Sequence, residues 1–203
     1  GGGTAGGTAA PAAVTAELVA VRTTRAARRS GDVRVWRCGQ ARPSRPALVV
    51  GKGRRASTRV FVRGGSGKVC TSTRTGGRPR VTSVRRYVAP TGWVARSPRP
   101  KPVAATRRGS SLRIALGTKL GVLATDRRVA LHLTVRSPRR SGVLRIARCG
   151  EQRPRPATLR FKRGRSASRL VLLANPGARE LCVAVPRGTR VTAELQARLP
   201  RTR

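Results

Sequence analysis

The segment "RRSGDVRVWRCG", Arg28 to Gly39, occurs a second time as "RRSGVLRIARCG", Arg139 to Gly150. The copies lie 111 residues apart, counted from Cys38 to Cys149. The same offset carries Pro43 to Pro154, Gly53 to Gly164, Ala56 to Ala167, Ser57 to Ser168 and Val60 to Val171. A second cysteine follows in each copy, Cys70 and Cys182, with one residue inserted in the second. A repeat of this length is a duplicated domain rather than a solenoid unit. The chain therefore divides into a first unit, 1–92, with a Gly-rich start, and a second unit, 93–203, with a Pro-rich link at 97–102.

Within each unit the hydrophobic pattern has the strand period. In "VRVWRC" Val33 and Val35 alternate with Arg34 and Trp36, so the two sets point to opposite faces. "VTAELVAV", "ALVV", "RVFV" and Val81 to Val88 complete the first unit, with a "GGSG" hairpin turn leading into "KVC". The second unit offers "VAATRRG", "SLRIALG", "VALHLTV", "VLRIARC", "TLRFK", "RLVLL", "ELCVAV" and "RVTAEL". No stretch keeps a helical period, and Gly and Pro punctuate short segments throughout. The expected fold is all-β, two tandem homologous β-sandwich or barrel-like domains.

Aromatic residues make up only 2% of the chain. Each core must then be a thin one of Val, Leu, Ala and Ile, for which a covalent staple is useful. Four cysteines, two per copy, read as disulfides Cys38–Cys70 and Cys149–Cys182, one in each domain. Such bonds imply an oxidising compartment, hence a secreted or wall-associated protein. A metal site fits poorly: there is no CxxC pair, and His132 is the only histidine. Free thiols in a cytosolic protein are the other alternative.

Lys and Arg number 46 against six acids, for a net charge of +40. The preference for Arg over Lys accords with a GC-rich genome, but such genes retain Asp and Glu codons. The scarcity of acids, Glu17, Asp32, Asp126, Glu151, Glu180 and Glu194, thus points to a physical role. A surface of this charge attracts polyanions and repels copies of itself. The expected partner is an anionic polymer, wall glycopolymer or nucleic acid, or an acidic protein. A homo-oligomer is not expected without a counter-charged partner. No apolar run is long enough to span a bilayer as a helix.

Arginines placed by the strand alternation should line the outer faces of the sheets. The candidate polyanion-binding residues are Arg28, Arg29, Arg34, Trp36, Arg54, Arg55, Arg113, Arg139, Arg140, Arg145, Arg160 and Lys162, with further basic clusters at Arg25, Arg85 and Arg86, Arg107 and Arg108, Arg127 and Arg128, Arg153 and Arg155, and Arg163 and Arg165. Guanidinium suits phosphate through its planar fork of donors. Trp36 is either a contact residue or a cover for the core edge or a domain junction.

No reaction emerges from the remaining residues. His132 alternates with Leu131 and Leu133 and so points off the apolar face, and the six acids are scattered. "GGSGKV", Gly64 to Val69, lacks the hydroxyl residue after Lys68 and runs into a cysteine strand rather than a helix, so it is a turn and not a phosphate loop. Neither a catalytic set nor a cofactor is expected. With so few aromatics, base stacking is poor, and nucleic acid would be read through its charge alone.

The second copy strings together "VAATRRG" (Val103 to Gly109), "ALHLTVRSP" (Ala130 to Pro138), "GVLRIARCG" (Gly142 to Gly150), "RPRPATLRFKRGRSAS" (Arg153 to Ser168), "ELCVAV" (Glu180 to Val185) and "VTAELQARLP" (Val191 to Pro200). This order resembles a cysteine-containing β module found in tandem in secreted, wall-associated actinobacterial proteins. The resemblance implies a non-catalytic accessory repeat and leaves its ligand open. The present chain is a basic variant of that pattern, with Ala105, His132 and Ser83 where the module carries Asp, Asn and Asp. Its first copy has no counterpart of the opening "VAATRRG" strand. Either that strand lies upstream, or another chain supplies it by strand addition. The sequence thus points to a secreted structural or adhesion protein holding an anionic polymer or an acidic assembly partner, or alternatively to a sequence-independent DNA- or RNA-binding protein.

Overall fold

The computed structural model describes residues 14–65, 67–88, 92–95, 102–106, 111–115, 122–136, 138–150, 158–174 and 180–201. These contain fifteen strands and no helix. In the first domain β1 (Val14–Thr23), β4 (Ser57–Arg63) and β6 (Pro79–Val88) form one antiparallel sheet in the order β4-β1-β6. β2 (Gly31–Arg37), β3 (Leu48–Val50) and β5 (Val69–Thr73) form a second, ordered β3-β2-β5. Val19, Val21, Val60 and Val62 of the first sheet enclose a core with Val33, Val35, Leu48 and Val50 of the second. The alternation of "VRVWRC" thus sends its two valines inward.

The second domain repeats the plan. β10 (Arg128–Arg136), β13 (Ala167–Ala174) and β15 (Arg190–Leu199) are ordered β13-β10-β15, and β11 (Gly142–Arg148), β12 (Leu159–Phe161) and β14 (Glu180–Ala184) are ordered β12-β11-β14. Each sheet is then extended. β7 (Val94–Ala95) and β8 (Pro102–Thr106) both pair with β15, and β9 (Ser111–Ala115) pairs with β14. The two openings expected from "VAATRRG" and "SLRIALG" are β8 and β9. Among the described residues the first domain has no equivalents, so β6 and β5 are sheet edges there. Val84 and Val88 of β6 are exposed. The Gly-rich start, and the Pro-rich link apart from Pro102, lie outside the described residues.

Each domain holds its own disulfide, Cys38–Cys70 and Cys149–Cys182, with Cα atoms 5.0 and 4.9 Å apart. Both tie the end of the central strand of the smaller sheet to its neighbour, β2 to β5 and β11 to β14. They close loops of 32 and 33 residues, which stabilises each domain by roughly 3–4 kcal/mol through the unfolded chain.

A third apolar cluster joins the domains. Ala16, Leu18, Phe61 and Trp93 pack with Ala130 and Ala197, flanked by Tyr87, Leu170 and Leu199. These residues lie off the domain cores, on the other face of the sheets that contain β1 and β10. The Phe61 ring sits 5.1 Å from that of Trp93 and 5.9 Å from that of Tyr87. Polar pairs cross the same junction: Phe61 N–H donates to Gln196 Oε1 at 2.9 Å, and Thr58 Oγ1 lies 3.3 Å from His132 Nε2. Apolar residues on both faces of β1 and β10 therefore serve two purposes, one face for each core and the other for the joint.

Candidate functional site

The acids are consumed by the fold. Glu17 Oε2 lies 2.6 Å from Arg37 Nη2, Asp126 Oδ1 2.9 Å from Arg198 Nη1, and Glu194 Oε1 3.5 Å from Arg45 Nε; these three carboxylates are buried. Asp32 lies 3.5 Å from Arg34 and Glu180 3.7 Å from Arg113. Every acid among the described residues is thus held by an arginine of the same chain. Glu151 lies outside them.

Arg37 shows how this works. The strand period puts it on the inward side with Val33 and Val35, and it is buried. Its guanidinium donates to the carbonyls of Arg63 and Gly67 and to Glu17. Burial alone would raise the Glu17 pKa, but hydrogen bonds from Ser83 and Arg37 and the charges of Arg37 and Arg86 carry it below the ordinary value. The pair is a structural plug with its hydrogen bonds satisfied.

At the domain joint Glu194 is pushed up to about 7, by burial first and against the pull of Arg45 and Arg136. His132 has no exposed surface and is pushed down to about 4 by burial. Its Nδ1 has no hydrogen-bond partner among the described residues. The outward face expected for His132 is the correct one, but the first domain covers it. Trp36, Arg45, Phe61, Glu194 and Gln196 line a cavity of about 60 Å3 at this joint. That is far below the ~300–1,000 Å3 of small-molecule sites. Trp36 is half-buried there, with the Arg42 guanidinium 5.9 Å from its ring.

The candidate cations fall into three groups. Arg113, Arg145 and Arg160 share one face of the β12-β11-β14-β9 sheet, as their alternation predicts, with Arg113 drawn to Glu180. Arg34 lies in the other domain's smaller sheet, only partly exposed. Its Nη1 and Nη2 are turned to the Pro43 carbonyl and to Asp32. The equivalent outer-face arginines of the two copies, Arg34 and Arg145, thus belong to separate sheets and differ in exposure. Arg28 and Arg29 occupy the exposed turn before β2, where Arg29 Nε donates to the Arg74 carbonyl; Arg139 and Arg140 occupy the equivalent turn before β11.

The third group is the one the fold concentrates. Arg54 and Arg55 sit in the loop between β3 and β4, and Arg163 and Arg165 in its copy between β12 and β13, directly after Lys162. The two loops are built alike. Lys52 N–H donates to Ser30 Oγ, and Arg163 N–H to Ser141 Oγ. Gly53 N–H donates to the Ala27 carbonyl, and Gly164 N–H to that of Pro138. Both glycines are left-handed, with φ of 70° and 68°, a conformation costly for residues with a side chain. The equivalent loops come together at the domain joint, where Lys52, Arg54, Arg55, Arg163 and Arg165 line one groove of about 630 Å3. Lys52 was not among the sequence candidates. It is the counterpart of Arg163 under the 111-residue offset, and that offset was the signal available for it.

Among the described residues no three of His, Cys, Asp and Glu gather as a metal site, and no helix is long and apolar enough to cross a membrane. In comparisons with known proteins the chain matches no family model, and neither a curated protein nor a solved structure matches it.

Proposed function

We propose that this is a non-catalytic, secreted binding protein that holds an anionic polymer on its surface. The observation that carries the reading is the fate of the acids. Each one described is paired within the chain, so the excess of +40 is not offset at the surface and acts on external anions. Two disulfides accord with an oxidising compartment. The lone histidine is sealed at the domain joint and the carboxylates are tied to arginines, which supports a non-catalytic role. The similarity of the repeat to a module of wall-associated proteins makes a wall glycopolymer the first ligand to consider. An acidic partner could equally dock on the same charge, and its chain could extend the β5 or β6 edge of the first domain.

The test is the melting temperature at low salt with added polyphosphate, heparin or DNA. Binding to the folded form raises it in proportion to the logarithm of free ligand, and added salt reverses the effect. A melting temperature unchanged by all three polyanions refutes the reading.

A further inference from the structure

We propose that the groove between the two copied loops is a binding track for a linear, base-free phosphate polymer, with each domain contributing one wall. The inference rests on the polyanion reading and adds where the polymer lies and what it is made of.

The groove gathers five exposed cations, Lys52, Arg54 and Arg55 from the first domain and Arg163 and Arg165 from the second. No carboxylate lines it, and none of the five is in an ion pair with an acid among the described residues. Like charges held in one concavity raise its potential and focus it on a counter-ion. Their placement is fixed by backbone, because the paired Ser–amide and Gly–carbonyl hydrogen bonds set both loops in the same conformation. The two loops that carry these side chains are therefore preformed.

Two features select the ligand. A second hollow of about 450 Å3 adjoins the groove, sharing Arg55 and Ala56 with it and lined further by Arg22, Thr23 and Thr24. Two adjoining basic hollows suit a chain of anions better than a single one. The linings of both hollows also lack aromatic side chains, so nucleobases would find no stacking partner. Phosphate groups alone satisfy the arginines, through bidentate hydrogen bonds. A polymer of phosphates without bases, inorganic or carried on a polyol, offers the most charge per length and nothing the groove cannot use.

The experiment is isothermal titration of the whole chain with a short linear polyphosphate, beside single-stranded DNA of equal charge. One variant replaces Lys52, Arg54, Arg55, Arg163 and Arg165 with serine. A control variant removes five other exposed cations, Arg78, Arg80, Arg187, Arg190 and Arg201. Melting curves confirm that both are folded, and single-loop variants replace either if one is not. The expected result is a loss of about 100-fold or more in polyphosphate affinity for the groove variant, little for the control, and tighter binding of polyphosphate than of DNA. Equal losses in the two variants, or DNA bound more tightly than polyphosphate, overturn the groove inference while the polyanion reading stands. Absence of binding by the unmodified protein removes both.

Discussion

His132 on β10 and Glu194 on β15 are cross-strand partners, and both are buried where the two domains meet. Their titrations oppose each other. His132 stays neutral in the folded protein down to about 4, whereas the unfolded chain protonates it near 6.5. Stability is therefore lost as pH falls through that window. Glu194 keeps its proton in the folded protein up to about 7, whereas the unfolded chain releases it near 4.5. Stability is therefore lost as pH rises through that window.

Between pH 4.5 and 6.5 the two effects cancel, each being worth roughly 3 kcal/mol across its range. Glu194→Gln exposes the histidine, so stability should decline on acidification below pH 6.5. His132→Gln exposes the acid, so stability should decline as pH rises from 4.5 to 7. Thermal melts across pH at fixed salt check this, and parallel profiles for the three proteins would refute it.

Arg37→Ala should destabilise the chain by about 3–5 kcal/mol, because it leaves Glu17 buried with Ser83 and the exposed Arg86, 3.7 Å away, in place of its close guanidinium partner. The double change Glu17→Leu, Arg37→Met should cost much less, since it removes the buried charges together. Urea unfolding gives both numbers, and a double variant as weak as the single one contradicts the account.

Serine in place of either cysteine pair should cost roughly 3–4 kcal/mol. The costs should be alike for the two domains, whose loops of 32 and 33 residues are nearly equal. Chemical unfolding without reductant measures this directly.

Phe61→Ala should cost about 3–5 kcal/mol by opening the shared apolar cluster. The loss falls on the joint, so calorimetry should show one transition in the unmodified protein and two in the variant. A single lowered transition in the variant would show that Phe61 serves only its own domain.

The strands and both disulfides could be read from the chain because they depend on local period and on a duplication written out twice. Val33, Val35, Leu131 and Leu133 announce their cores by alternation alone. The joint could not be read that way. Ala16, Leu18 and Phe61 lie on a face that a single domain would leave to solvent, and no pattern within one repeat says that the other repeat covers it. Phe61 lies between Val60 and Val62, which face their own domain's core, and is itself buried in the cluster between domains. Arg37 follows the inward parity of its strand, but its charge hides the fact until Glu17 is found beside it. For the groove, the offset reveals that the loops at 52–55 and 163–166 are copies; only the packing of the two domains reveals that they meet.

That shared cluster also bears on what the peptide tether contributes. Trp93 and Phe61 pack against each other at the joint, and β7, just past Trp93, is already a strand of the second domain's sheet. A single protease nick between 96 and 101 would leave β7 attached to the amino-terminal fragment yet still hydrogen-bonded to β15. The severed halves should therefore migrate as one particle until a denaturant parts them.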